Sequence, residues 1–70
     1  MLEEFCERLK QLRIENKISL RDLGCELKVD HSTISRWENG EISPSIIYLK
    51  KICLYFDVSA DYLLGLTDKF

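Results

Sequence analysis

Histidine and proline occur once each, and glycine and cysteine only three times each, so several kinds of chemical site are thinly supplied. A single histidine beside cysteines with no CxxC spacing does not make up a zinc ligand set. No glycine-rich stretch is present to cradle a phosphate, and no metal-ligand cluster can be assembled, which leaves an enzyme the weakest of the functional readings. Cys6, Cys25 and Cys53 are odd in number. They read as reduced, small apolar side chains in a cytosolic protein, with a free reactive thiol as the alternative. No apolar run approaches the ~18 residues that would span a membrane, and the opening MLEEFCER is too acidic for a signal peptide. The expectation is a cytoplasmic protein with no membrane partner, no metal and no cofactor.

What is present is the material of a small helical domain. Residues 1–70 read as a single domain, 46% apolar and 31% charged. A chain of this size buries only ~60% of the surface it exposes when unfolded, so its core must be closely packed. The formal charge is −2, but it is unevenly spread. Residues 8–36 carry seven basic side chains against four acidic ones, and the remainder carries three against eight. The middle of the chain is therefore the candidate face for an anionic ligand.

Helical spacing recurs five times. Leu2, Phe5, Leu9 and Leu12 mark a first helix, with Glu3 and Glu4 in its first turn and Lys10 and Arg13 toward its end, ending near a left-handed Asn16. Ser19 reads as the N-cap of a short second helix to about residue 27, with Leu20, Leu23 and Leu27 as its inner stripe. After a tight turn, Asp30 is the N-cap of a third helix whose inner face holds Ile34, Trp37 and Glu38 and whose C-terminal glycine is Gly40. Two short helices joined by such a turn form a helix-turn-helix pattern. Residues 45–56 set Ile46, Leu49, Ile52, Cys53 and Phe56 on one side of a fourth helix, and Ser59 caps a brief fifth that ends at Gly65. The fold class expected is all-α.

The stretch DHSTISRWENG is unusual on its outer side. Opposite the inner stripe lie Ser32, Ser35, Arg36 and Asn39, at i, i+3, i+4 and i+7. A helix that is merely solvated carries long, oppositely charged pairs four residues apart; this one has short hydroxyls, one guanidinium and one amide. Short side chains let a helix approach another surface closely, and arginine can bond guanine O6 and N7 bidentately. That chemistry suits the major groove of double-stranded DNA. A polar surface helix that happens to lack lysine remains the plain alternative. Trp37 is assigned to packing, and His31 is either a base contact or an ordinary surface residue.

From about Leu9 to Leu66 the chain resembles the helix-turn-helix family of phage repressors and Cro proteins, the XRE family, through STISRWENG, the proline at 44 and the closing FDVSADYLLG. The resemblance implies a compact five-helix, lambda-repressor-like domain whose third helix enters the major groove while the second lies across the backbone. Carried over by position, His31, Ser32 and Arg36 face bases, and Thr33, Ser35 and Asn39 contact phosphates or flanking groups. It also implies a salt bridge between Arg13 and Glu38, which the sequence suggests independently. Each of these two residues follows an inner-stripe residue by four and so sits beside buried surface, where a charge needs a partner.

Three departures from the family pattern concern the second helix. Leu20 stands where the family has a glutamine that bonds a phosphate or the first recognition side chain, and Arg21 beside it is the candidate substitute. Gly24 replaces an alanine, costing ~1 kcal/mol in helix propensity while permitting equally close packing. Lys28 replaces the turn glycine, where a positive φ would strain it by ~1–2 kcal/mol while pointing its ammonium toward a phosphate. Tyr48, Tyr55, Tyr62 and Phe70 exceed what a small core can hide and hint at a homodimer through the fourth helix, the fifth or the tail. The leading function is a sequence-specific DNA-binding transcriptional regulator of bacterial or phage type, a repressor acting as a homodimer. The competing one is a protein-binding module on the same fold, such as an antitoxin bound to its toxin or an assembly factor.

Overall fold

The computed structural model describes residues 3–69 and contains five helices, with no strand among the described residues. The readings made for Leu2 and Phe70 lie outside these residues. Helix α1 spans Glu3–Glu15, α2 Leu20–Leu27, α3 His31–Asn39, α4 Ile46–Phe56 and α5 Ala60–Leu63. One core joins them, built from Phe5, Leu9 and Leu12 of α1, Leu23 and Leu27 of α2, Ile34 and Trp37 of α3, Ile52 of α4, and Val58 and Leu63. Apart from Val58, which lies between α4 and α5, these are apolar positions on the helices, each helix turning one side inward.

Serine hydroxyls start three of the helices. Ser19, Ser45 and Ser59 each accept a hydrogen bond from the amide three residues on, at 3.0, 3.4 and 3.0 Å, satisfying donors that a helix start leaves unpaired. Gly40 ends α3 with φ 78°, its amide reaching the carbonyls of Arg36 and Trp37.

The other stops are less conventional. The left-handed residue that closes α1 is Lys17, with φ 57°, and not Asn16. Asn16 contributes through its side chain as well as its backbone, its Nδ2 and its amide both donating to the Leu12 carbonyl, at 2.8 and 3.0 Å. Lys28 and Asp57 adopt the same left-handed geometry after α2 and α4, with φ 58° and 57°. At each of these three positions a non-glycine residue is held where its Cβ crowds the backbone, at ~1–2 kcal/mol apiece.

Two packing expectations are corrected. Ile46 does not join the inner stripe of α4; it is 84% exposed. It precedes Ile52 by six residues, about a third of a turn off that stripe, and Ile47 and Leu54 are exposed as well. Tyr48 and Tyr62, in turn, are packed rather than displayed. Tyr48 lies 5.6 Å from the Trp37 ring, and Tyr62 lies beneath the Arg8 guanidinium at 4.3 Å.

Arg8 fastens the end of the fold to its beginning. Its Nη1 donates to the carbonyls of Tyr62 and Thr67 at 2.6 and 2.7 Å, and its Nη2 to Asp68 at 2.9 Å. Gly65, with φ 81°, lies against Glu4 so closely that a Cβ there would come within 2.7 Å of it. Together these contacts seat α1 on the turn after α5.

Candidate nucleic-acid interface

The position of α3 is set from below by three anchors. Ile34 and Trp37 are buried in the core. Glu38, with a side chain only 5% exposed, meets Arg13 of α1 in a two-pronged bridge, Nε to Oε2 at 2.6 Å and Nη2 to Oε1 at 3.1 Å. The remaining nitrogen of Arg13, Nη1, donates to the Ile18 carbonyl at 3.1 Å, so one guanidinium ties α1, the α1–α2 turn and α3 together. Hydrogen bonding to Glu38 pushes the Arg13 guanidinium further up from its already high ordinary value, against the opposing pull of burial. The guanidinium side of the bridge therefore keeps its charge.

Gly24 is the second device. A Cβ at that position would fall 2.7 Å from the Val29 carbonyl oxygen and 3.3 Å from the His31 amide nitrogen, both backbone atoms at the entry to α3. The turn therefore approaches α2 more closely than an alanine permits, and the expectation of equal packing is corrected.

With α3 fixed in this way, its outer side carries the residues singled out from the sequence. Arg36 is exposed and has no hydrogen bond or ion pair among the described residues. Asn39 is exposed and donates from Nδ2 to Ser35 Oγ at the long distance of 3.5 Å, a contact that an incoming ligand displaces easily. Thr33 and Ser35 are half-buried at the flanks. Asp30 occupies the N-cap position by its backbone, yet its side chain makes no capping bond. Its carboxylate accepts a hydrogen bond from Ser32 Oγ, while its other oxygen lies 3.6 Å from His31 Nδ1.

Beside α3, Arg21 and Lys28 are exposed and line an open groove of about 400 Å³ between α2 and the start of α3, with Cys25 and His31 on the same walls. Leu20 is half-buried against the core and offers nothing polar to a ligand. The structure thus brings His31, Arg21 and Lys28 to one groove and sets Ser32, Ser35, Arg36 and Asn39 along the adjoining face. Sequence reasoning did not identify Asp30 as a partner of its neighbours' side chains, because spacing marks it only as a cap. It also missed the exposed trio of Ile46, Ile47 and Leu54, although two adjacent isoleucines at a helix start were an available sign. Among the described residues, no group of His, Cys, Asp and Glu side chains is arranged to hold a metal ion, and no helix is long and apolar enough to cross a membrane.

An arrangement of this kind, short side chains and one free guanidinium on a rigidly seated helix flanked by two cations, can lie against a polyanion and bond the edges of its bases. Comparison with known proteins agrees. The helix-turn-helix family matches residues 9–63. The uncharacterized HTH-type transcriptional regulator YobD of Bacillus subtilis is 34% identical over 64 residues, which cover 91% of this chain; the chain spans just over half, 57%, of that relative's length. Among solved structures, the N-terminal DNA binding domain of SinR from Bacillus subtilis is similar with a TM-score of 0.79 and 35% identity, covering 89% of this chain and 91% of that one. The P22 c2 repressor, solved in complex with a synthetic operator, is similar with a TM-score of 0.81 and 32% identity, covering 84% of this chain and 89% of that one.

Proposed function

The chain belongs to the XRE-type helix-turn-helix family of DNA-binding transcriptional regulators, and from that premise we propose that it binds a specific operator as a homodimer, with α3 in the major groove, and represses by covering that site. The observation that carries this reading is the free Arg36 guanidinium at the centre of a short-sided face, on a helix held from below by the Arg13–Glu38 bridge. Arg36 is assigned to guanine, Ser32 and His31 to neighbouring base edges, and Thr33, Ser35, Asn39, Arg21 and Lys28 to phosphates. The net charge of −2 leaves little general affinity for DNA, so binding depends on this face. The domain measures 28 × 23 × 21 Å, which is small enough for two copies to sit side by side on half-sites ~34 Å apart.

A binding selection from random duplex DNA, run beside Arg36→Ala and followed by a salt titration of the enriched site, tests the proposal. An inverted repeat that Arg36→Ala loses, bound with an affinity that falls steeply as salt rises, supports a dimeric reader. No enrichment at low salt would overturn it.

One observation favours a second reading. Ile46, Ile47 and Leu54 crowd the exposed side of α4 and interleave with Lys50, a surface suited to an apolar protein partner such as a toxin. Binding to such a partner would survive high salt, where phosphate binding does not.

A further inference from the structure

Three helices begin with a serine that caps them, and α3 begins with an acid that does not. The backbone of Asp30 is in the N-cap conformation, with φ −64° and ψ 136°, so a capping bond was geometrically within reach. Its carboxylate turns instead toward the first side chains of the helix, taking the Ser32 hydroxyl on one oxygen and lying 3.6 Å from His31 Nδ1 with the other. An ionised carboxylate has no hydrogen to give, so the proton in the Asp30–Ser32 bond comes from the serine. A serine hydroxyl has a single hydrogen, and once that is committed only its lone pairs face outward.

We propose that Asp30 is a positioning residue for base recognition. By taking the Ser32 proton it makes Ser32 an acceptor only, and so commits that position to bases that present a hydrogen-bond donor in the major groove. The inference rests on the reading of α3 as the major-groove helix. Adenine N6 and cytosine N4 are such donors; guanine offers O6 and N7, and thymine O4, all acceptors. A freely rotating serine accommodates either kind, which is why serine ordinarily discriminates poorly. Here the rotor is locked, and the carboxylate, whose side chain is 68% exposed, adds repulsion against the electron-rich edges of guanine and thymine. The same lock prevents Ser32 from donating to a phosphate oxygen, which leaves it a base-facing residue.

The test compares selected sites for the wild-type chain, Asp30→Ala, Ser32→Ala and Arg36→Ala. Wild type is expected to prefer adenine or cytosine over guanine or thymine at one strand position by roughly five- to tenfold, and Ser32→Ala to erase the preference at that position. In Asp30→Ala the ratio should fall to within about twofold, while the guanine position that Arg36→Ala removes stays intact. A purely structural role would instead weaken every position together, and that result would overturn the proposal. So would a guanine or thymine preference at the Ser32 position in wild type, an Asp30→Ala selection that keeps the adenine or cytosine preference, or a Ser32→Ala selection that changes nothing. An absence of any enriched site for wild type would overturn the DNA-reading premise as well, and is distinguished from the other outcomes by the wild-type selection alone.

Discussion

At the scale of single residues, Arg13 and Glu38 are the most consequential pair. Their side chains are 14% and 5% exposed, so removing either leaves a charge in poorly solvated surroundings. Arg13→Met or Glu38→Gln should each destabilise the domain by ~3–5 kcal/mol, and the double variant by much less than the sum; denaturant titration of all four proteins measures the coupling. The pair was legible in the sequence because both charges sit four residues from an inner-stripe residue and so each needs a partner, and the family resemblance implied which partner. The diversion of Asp30 toward Ser32 was not, since a carboxylate at a helix start has the same spacing whether or not it caps. The cysteines separate by exposure. Cys25 is exposed, Cys6 and Cys53 are half-buried, and burial pushes both of the latter thiols up from their ordinary value. Alkylation at neutral pH should therefore modify Cys25 first. The raised thiols favour the neutral form in the folded state, so their contribution to stability is complete below the unfolded thiol pKa of about 8.5 and is lost as pH rises through the folded values. Unfolding followed between pH 8 and 9.5 should show that decline, flattened in a Cys6→Ala, Cys53→Ala double variant.

At the scale of elements, the decisive feature is how closely the turn before α3 approaches α2. Gly24→Ala improves helix propensity by ~1 kcal/mol, yet its Cβ would meet the Val29 carbonyl at 2.7 Å. Backbone must shift to accept it, so the variant should be destabilised by a net ~1–3 kcal/mol, and the entry to α3 should be displaced. Thermal melts together with binding to the selected operator check both effects; a variant as stable as wild type would show that the turn yields. The caps at Ser19, Ser59 and Gly40 could be read directly, because a hydroxyl before an apolar stripe and a glycine after one have a local chemical meaning. The left-handed residues Lys17 and Asp57 could not. Lysine does not prefer that geometry and aspartate only tolerates it, and it is imposed by the way successive helices must turn to bury their stripes. The inner stripe of α4 was read one turn too long for a related reason: Ile46 is apolar but lies beyond the edge of the core.

At the scale of the whole molecule, the exposed apolar side chains divide what is fold from what is contact. Leu54, Tyr55 and Leu66 are all exposed near the C-terminal end of the chain, and the proposed homodimer would have to cover apolar surface of this kind. Leu54→Glu should leave the melting temperature of the monomer nearly unchanged and shift sedimentation toward monomer, with operator affinity falling in step; wild-type protein that is monomeric at high micromolar concentration would remove the dimer. The Arg8 clamp has a consequence of another kind, in time rather than in affinity. Its partners lie 54 to 60 residues away, so it closes a loop that includes nearly the whole chain, whereas α2 and α3 meet through neighbours in sequence. Contacts of such separation form late, after local helices have docked. Arg8→Ala should therefore steepen the loss of native molecules without slowing their formation: the unfolding limb of the chevron rises and the folding limb stays in place. One guanidinium then serves as the latch that determines how long a folded molecule lasts.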